Sequence, residues 1–174
     1  MNQWLLKPWR AAFFTVLLVW LDQLTKELAI RYLKGQDPFV IWDGVFELRY
    51  LENHGAAFGI FQGQRVFFLL MGLAVFAAGV YLFLKMSKDA KFFPLRLIGI
   101  FVVAGAWGNM LDRFRLSYVV DFLYFRLIDF PIFNVADIYV SVSVAVLAVL
   151  IFFYYKDEDL QGLLVKKTNE EDGA

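Results

Sequence analysis

VADIYVSVSVAVLAVLIFFYY, residues 135–155, holds a single charged side chain, Asp137, at its third position. A bilayer core about 30 Å thick needs roughly 20 mainly apolar residues in a helix. This run supplies them, so the chain is read as crossing a membrane with a carboxylate at the start of the span. Three more segments qualify, at about 11–30, 66–84 and 93–111. The first of these runs from Ala11 to Leu21 and continues past Asp22 to Ile30. The expected fold is an all-α integral membrane protein: one domain over residues 1–174, with four transmembrane helices and a polar tail at 156–174 expected to fray.

Composition supports this. Of the 174 residues, 60% are hydrophobic and 20% charged, against about 45–50% and about 25% in soluble domains. The net charge is zero, and no basic run is long enough to follow a phosphate backbone, which argues against a nucleic-acid partner. There is no cysteine and a single histidine, His54. Disulfides, thiolate sites and cysteine nucleophiles are excluded, and a zinc site or a serine triad would rest on His54 alone. The expectation is carboxylate chemistry with no cofactor and no metal.

Lys and Arg accumulate in cytoplasmic loops. The short connection from Lys85 to Arg96 carries Lys85, Lys88, Lys91 and Arg96 against Asp89, whereas residues 31–65 dilute their basic groups among Asp37, Asp43, Glu47 and Glu52. The short loop is therefore cytoplasmic. Both termini join it, and the 31–65 and 112–134 connections lie outside. The first span follows Lys7 and Arg10, but no small-residue cleavage pattern comes after it, so it reads as a retained helix rather than a secretory signal.

The outer connections have β character. Phe39–Trp42, a turn at Asp43-Gly44 and Val45–Leu51 read as a hairpin, the basis of a small extracytoplasmic sheet. Val119–Arg126 fits either a further strand or an interfacial helix. Ala74, Ala77, Ala78 and Gly79, with Ala104, Gly105 and Gly108, are small surfaces for close helix packing. Trp4, Trp9, Trp20 and Trp42 suit interfacial anchoring.

Charged side chains inside a bilayer cost about 2.5–3.5 kcal/mol each on insertion scales, so each asks for a partner or a function. Here they collect at one side. Asp22 and Lys26 end the first span, Asn109, Asp112 and Arg113 end the third, and Asn134 and Asp137 begin the fourth. Their three- and four-residue spacings give each helix end one polar face. Two carboxylates held close in such a pocket share a proton, one acting as base toward water and the other as acid. Asp22, Asp112, Asp121 and Asp137 are all candidates. Lys26 stands one turn from Asp22, and Arg113 and Arg115 stand beside Asp112, whereas Asp121 and Asp137 have apolar neighbours and no cation close in sequence. That favours the latter pair.

Asp22-Gln23-Leu24-Thr25-Lys26, Asn53-His54-Gly55-Ala56-Ala57-Phe58-Gly59, Gly108-Asn109-Met110-Leu111-Asp112-Arg113, Val119-Val120-Asp121-Phe122 and Phe133-Asn134-Val135-Ala136-Asp137 occur in the order and approximate spacing of bacterial lipoprotein signal peptidases, or signal peptidase II. The resemblance extends from about Asp22 to Tyr155. It implies an aspartyl endopeptidase of the bacterial cytoplasmic membrane, working near its extracytoplasmic face. Such an enzyme removes the signal peptide of a prolipoprotein just before a diacylglyceryl-bearing cysteine. It places the catalytic aspartates at Asp121 and Asp137 and the supporting residues at Asp22, Lys26, Asn53, Asn109, Arg113 and Asn134. The outer loops then correspond to a small sheet and a lid-like loop that cradle the substrate. Read alone, Asn53, Gly55 and Gly59 are ordinary turn residues. The implied partners are a lipid-modified precursor and membrane lipids, and nothing requires more than a monomer.

Two other classes compete. A small proton-coupled transporter would carry ionisable groups at several depths, whereas the span centres here are nearly free of them. A non-catalytic membrane assembly factor would have no need of unpaired Asp121 and Asp137.

Overall fold

A computed structural model describes residues 7–55 and 64–163. Ala56, Ala57, Phe58 and Gly59 of the second motif, the lid-like loop that includes them, Trp4 and the end of the polar tail lie outside those residues.

The chain runs α1 (Pro8–Leu33), β1 (Phe39–Trp42), β2 (Phe46–Asn53), α2 (Arg65–Lys85), α3 (Phe93–Arg115), β3 (Val119–Phe125), α4 (Val135–Phe153) and a short α5 (Asp157–Gln161). Proline stands in the first turn of α1 and of α3, where its missing N–H leaves no bond unmade. Three stretches, Val66–Lys85, Ala90–Arg115 and Val135–Phe153, are long and apolar enough to cross a membrane. α1, interrupted by Asp22, Gln23, Lys26 and Glu27, is not among them, although its 26 residues extend about 39 Å.

α3 packs against α1, α2 and α4, and glycines permit the closest approaches. A Cβ on Gly105 would stand 2.6 Å from the carbonyl oxygen of Ala136 in α4. At Gly108 the same volume is filled by the carboxylate of Asp22, so this glycine makes room for a polar group as well as for a helix. Gly108→Ala must displace that carboxylate, which is fully buried. A loss of about 1–3 kcal/mol in stability is expected, measured as a fall in melting temperature of the purified protein.

The three strands form an antiparallel sheet in the order β1-β2-β3. Gly44 takes a positive φ of 70° in the hairpin turn, a conformation glycine adopts without steric cost. The Val119–Phe125 segment is a strand. It pairs with β2, and its Val120 and Phe122 pack with Ala29 of α1. Phe133 then bonds back to β3, accepting from the N–H groups of Phe122 and Leu123 and donating to Leu123. That clamp brings the start of α4 beside β3.

At the beginning of the polar tail, Asp157–Gln161 form α5 and contacts run to the segment before α3. Lys91 pairs with Asp159 at 2.6 Å, the Tyr155 hydroxyl donates to the Lys91 carbonyl, and the Ser87 N–H donates to the Leu163 carbonyl.

Candidate active site

Sheet register sets the first carboxylate. Asp121 lies opposite Leu51 and Val119 opposite Asn53, so Asn53 is the diagonal neighbour of Asp121, within side-chain reach. Asn53 Nδ2 donates to Asp121 Oδ2 at 2.8 Å. Asn134 Nδ2 donates to the other oxygen at 2.6 Å. Asp121 is 1% exposed.

Helix capping sets the second. Asn134 is the N-cap of α4, and its side chain accepts from the Asp137 N–H at 3.1 Å. Asp137 Oδ2 accepts in return from the Asn134 N–H, also at 3.1 Å. This is a reciprocal capping box with Asp at its third position. Asp137 Oδ1 receives a further bond from Asn109 Nδ2 at 2.8 Å, which fixes the carboxylate from two sides. Asp121 and Asp137 line one cavity of about 480 Å³, together with Asn53, Asn109, Arg113, Phe133, Ser141 and other residues.

Behind this cavity lies a buried charge cluster. Lys26 Nζ sits 2.9 Å from Asp22 Oδ2, 3.0 Å from Asp112 Oδ2 and 2.8 Å from Asn109 Oδ1. All the donors of the ammonium are thereby used. Asp22 Oδ1 accepts from the Ala136 N–H, and Asp112 Oδ2 from the Val120 N–H. Gln23 joins Asp22, Asp112 and the Gly108 carbonyl. The cluster thus ties α1, α3, β3 and α4 together, and Asn109 links it to Asp137.

Arg113 stands on the opposite flank. Its Nη2 donates to the Gly55 carbonyl at 2.9 Å and its guanidinium lies over the Phe68 ring, 4.3 Å from the centroid. Among the described residues it forms no ion pair, and its charge faces the cavity of Asp121 and Asp137. His54 stays outside the cavity, edge-on to Tyr118.

Asp121 sits on a strand outside the helices. Burial pushes its carboxyl up to about 7, and the charge of Asp137 acts in the same direction, against the bonds from Asn53 and Asn134. The folded protein therefore holds this proton more tightly than the unfolded chain does. The contribution of this group to stability is full below about pH 4 and is lost as pH rises to about 7. The melting temperature is expected to be higher at pH 5 than at pH 8 from this group, and Asp121→Asn should flatten that dependence.

The family described as signal peptidase (SPase) II matches residues 14–153. The chain belongs to the signal peptidase II family. Its members are aspartic peptidases, and the family match embraces every one of the site residues just described. A lipoprotein signal peptidase of Clostridium novyi is 40% identical over 134 residues, 75% of this chain and 89% of the relative. One from Gloeothece citriformis is 43% identical over 125 residues, covering 71% and 77%. A solved bacterial membrane enzyme superposes with a TM-score of 0.76 at 27% identity, covering 95% of this chain and 96% of the other.

All eight site residues expected from sequence converge here. Asp121, Asp137, Asn53, Asn109 and Arg113 line the cavity, Asn134 bonds to Asp121, and Asp22 and Lys26 form the cluster behind. One pairing differs from the sequence reading. Asp112 is held by Lys26 of α1, not by Arg113, which reaches away to Gly55. Two contributors were passed over. Gln23 stood within a quoted motif, and Ser141 stands one turn after Asp137, a spacing that puts it on the same face.

Proposed function

We propose that this chain is a membrane-embedded aspartyl endopeptidase that removes signal peptides from diacylglyceryl-modified prolipoproteins, cutting before the lipidated cysteine. The observation that carries the reading is the pair Asp121 and Asp137 on one cavity, each carboxylate held by hydrogen bonds. Asp121 holds the shared proton. Asp137 takes a proton from water as the water oxygen bonds to the scissile carbonyl carbon, and Asp121 gives its proton to the carbonyl oxygen. Collapse of the tetrahedral intermediate breaks the C–N bond: Asp137 gives the proton it took from water to the departing amine nitrogen, and one hydroxyl of the gem-diol returns its proton to Asp121, which leaves a carboxylic acid and restores the pair. Arg113 and Asn53 hold the peptide backbone where it unwinds, because unpaired amides in lipid cost several kcal/mol each.

All four long helices cross the bilayer in this reading. The polar groups of α1 support it. Asp22 and Lys26 are buried against α3, while Phe13, Val16, Leu17, Trp20, Leu24 and Leu28 are exposed. The termini and the Lys85–Arg96 loop are cytoplasmic, the sheet and cavity lie at the extracytoplasmic face, and the enzyme acts as a monomer among membrane lipids. Ile138 and Val142 line the cavity and are themselves exposed on α4, which suits a substrate helix arriving sideways from the bilayer.

Purified protein supplied with one precursor in two forms, with and without the diacylglyceryl group, tests this. Cleavage of the modified form is expected to be at least about a hundredfold faster, with the lipidated cysteine at the new N-terminus by mass. Equal cleavage of both forms removes the lipid from the reading. Failure to cut either removes the peptidase.

A further inference from the structure

About 26 Å along α3 from Arg113, at the other end of the helices, Arg96 presents a guanidinium that the peptidase reading does not use. Its side chain is only 3% exposed. Nη2 donates to the Met86 and Ser87 carbonyls, whereas Nη1 is buried with no partner among the described residues. A buried donor without an acceptor carries its whole desolvation cost, and on a cation that cost is larger.

Arg96 lines a cavity of about 230 Å³ with Pro8, Phe83, Leu84, Met86 and Lys88. Among the described residues no carboxylate lines it. A second cavity of about 560 Å³ shares Pro8, Phe83 and Leu84 and continues between α1, α2 and α3 as far as Val19 and Trp107. Its walls are apolar apart from Thr15. From Pro8 to Val19 the groove follows α1 for about 17 Å, close to half of a hydrocarbon core about 30 Å thick. The two cavities together have a basic mouth with an unmet N–H and an apolar trough one leaflet deep.

An anion that satisfies Arg96 must therefore be attached to hydrocarbon. We propose that these joined cavities hold one anionic phospholipid, its phosphate on Arg96 Nη1 and Lys88 and one acyl chain in the groove between α1, α2 and α3. Arginine is suited to phosphate by its forked donors, and basic pockets between membrane helices hold phospholipid head groups in the same way. The lipid fastens α1 to α2 and α3 at the end of the bundle remote from the buried Lys26 cluster. The inference does not depend on the peptidase reading.

Native mass spectrometry of the full chain in detergent, titrated with phosphatidylglycerol, phosphatidylcholine or glycerol 3-phosphate, tests it. One phosphatidylglycerol is expected to bind at least about tenfold more tightly than phosphatidylcholine, with no comparable binding of glycerol 3-phosphate. Arg96→Gln should abolish the preference, and Lys88→Gln should reduce it severalfold. Gly99→Leu, at a groove position where an added Cβ meets nothing within 4 Å, should lower phosphatidylglycerol binding while leaving the mouth intact. Because Arg96 also secures the Met86 and Ser87 carbonyls, the other two variants decide the matter if Arg96→Gln does not fold. Equal affinity for the two lipids, equal binding of glycerol 3-phosphate, or undiminished binding in both Lys88→Gln and Gly99→Leu would overturn the proposal.

Discussion

Asp121→Asn and Asp137→Asn are each expected to lower single-turnover cleavage of a diacylglyceryl-modified precursor by at least about 10³-fold, with little change in precursor affinity. The size follows from the part proposed for each carboxylate. General acid or base catalysis contributes about 10²–10⁴-fold, and Asn retains the shape of Asp without supplying or taking a proton. Folding should survive in both. At position 137 the amide oxygen still accepts one of the two bonds made by the Asn134 N–H and Asn109 Nδ2. At position 121 it still accepts from one of Asn53 and Asn134. Groups that act as a unit are not additive, so the double variant should be no slower than the worse single one. A single variant within tenfold of wild type, at an unchanged melting temperature, would show that the pair does not carry the chemistry.

Lys26→Met should produce the largest loss of stability. The ammonium is 2% exposed and lies between the carboxylates of Asp22 and Asp112, which are themselves buried. Removing one partner from a buried ionic group costs about 3–5 kcal/mol, because charge is left in low dielectric without compensation. Here two buried carboxylates lose the cation they share. The expected fall in melting temperature is roughly 10 °C, at about 2–4 °C per kcal/mol. Adding Asp112→Asn to Lys26→Met should recover part of it by removing one of the stranded charges. A fall of less than about 2 °C would mean that the cluster contributes little net stability, as exposed ion pairs do.

The apolar runs and the hairpin were legible in the sequence because each is a local pattern. The Asn134–Asp137 spacing was equally local, and it proves to be a capping box as well as a shared helix face. Long-range pairing was not legible. Arg113 adjoins Asp112 in the chain, yet successive helical residues point in different directions, and Lys26 arrives from another helix to take the carboxylate. For the same reason, the lack of cations near Asp121 and Asp137 was a statement about sequence neighbours only, since Arg113 lines their cavity. The Val119–Phe125 segment fitted two conformations on its residues alone. Pairing with β2 on one side and the Phe133 clamp on the other made it a strand.

The hairpin edge has a practical consequence. Phe39, Val40, Ile41 and Trp42 are consecutive, all exposed, and lie on the outermost strand of the sheet. The amphiphile coat around the purified protein must therefore rise beyond the helical girdle on one side to cover them. Detergents with small micelles will leave this edge wet, so copies will adhere through it. Wide micelles or nanodiscs, with a lipid surface for the hairpin to lie against, should keep the preparation monodisperse.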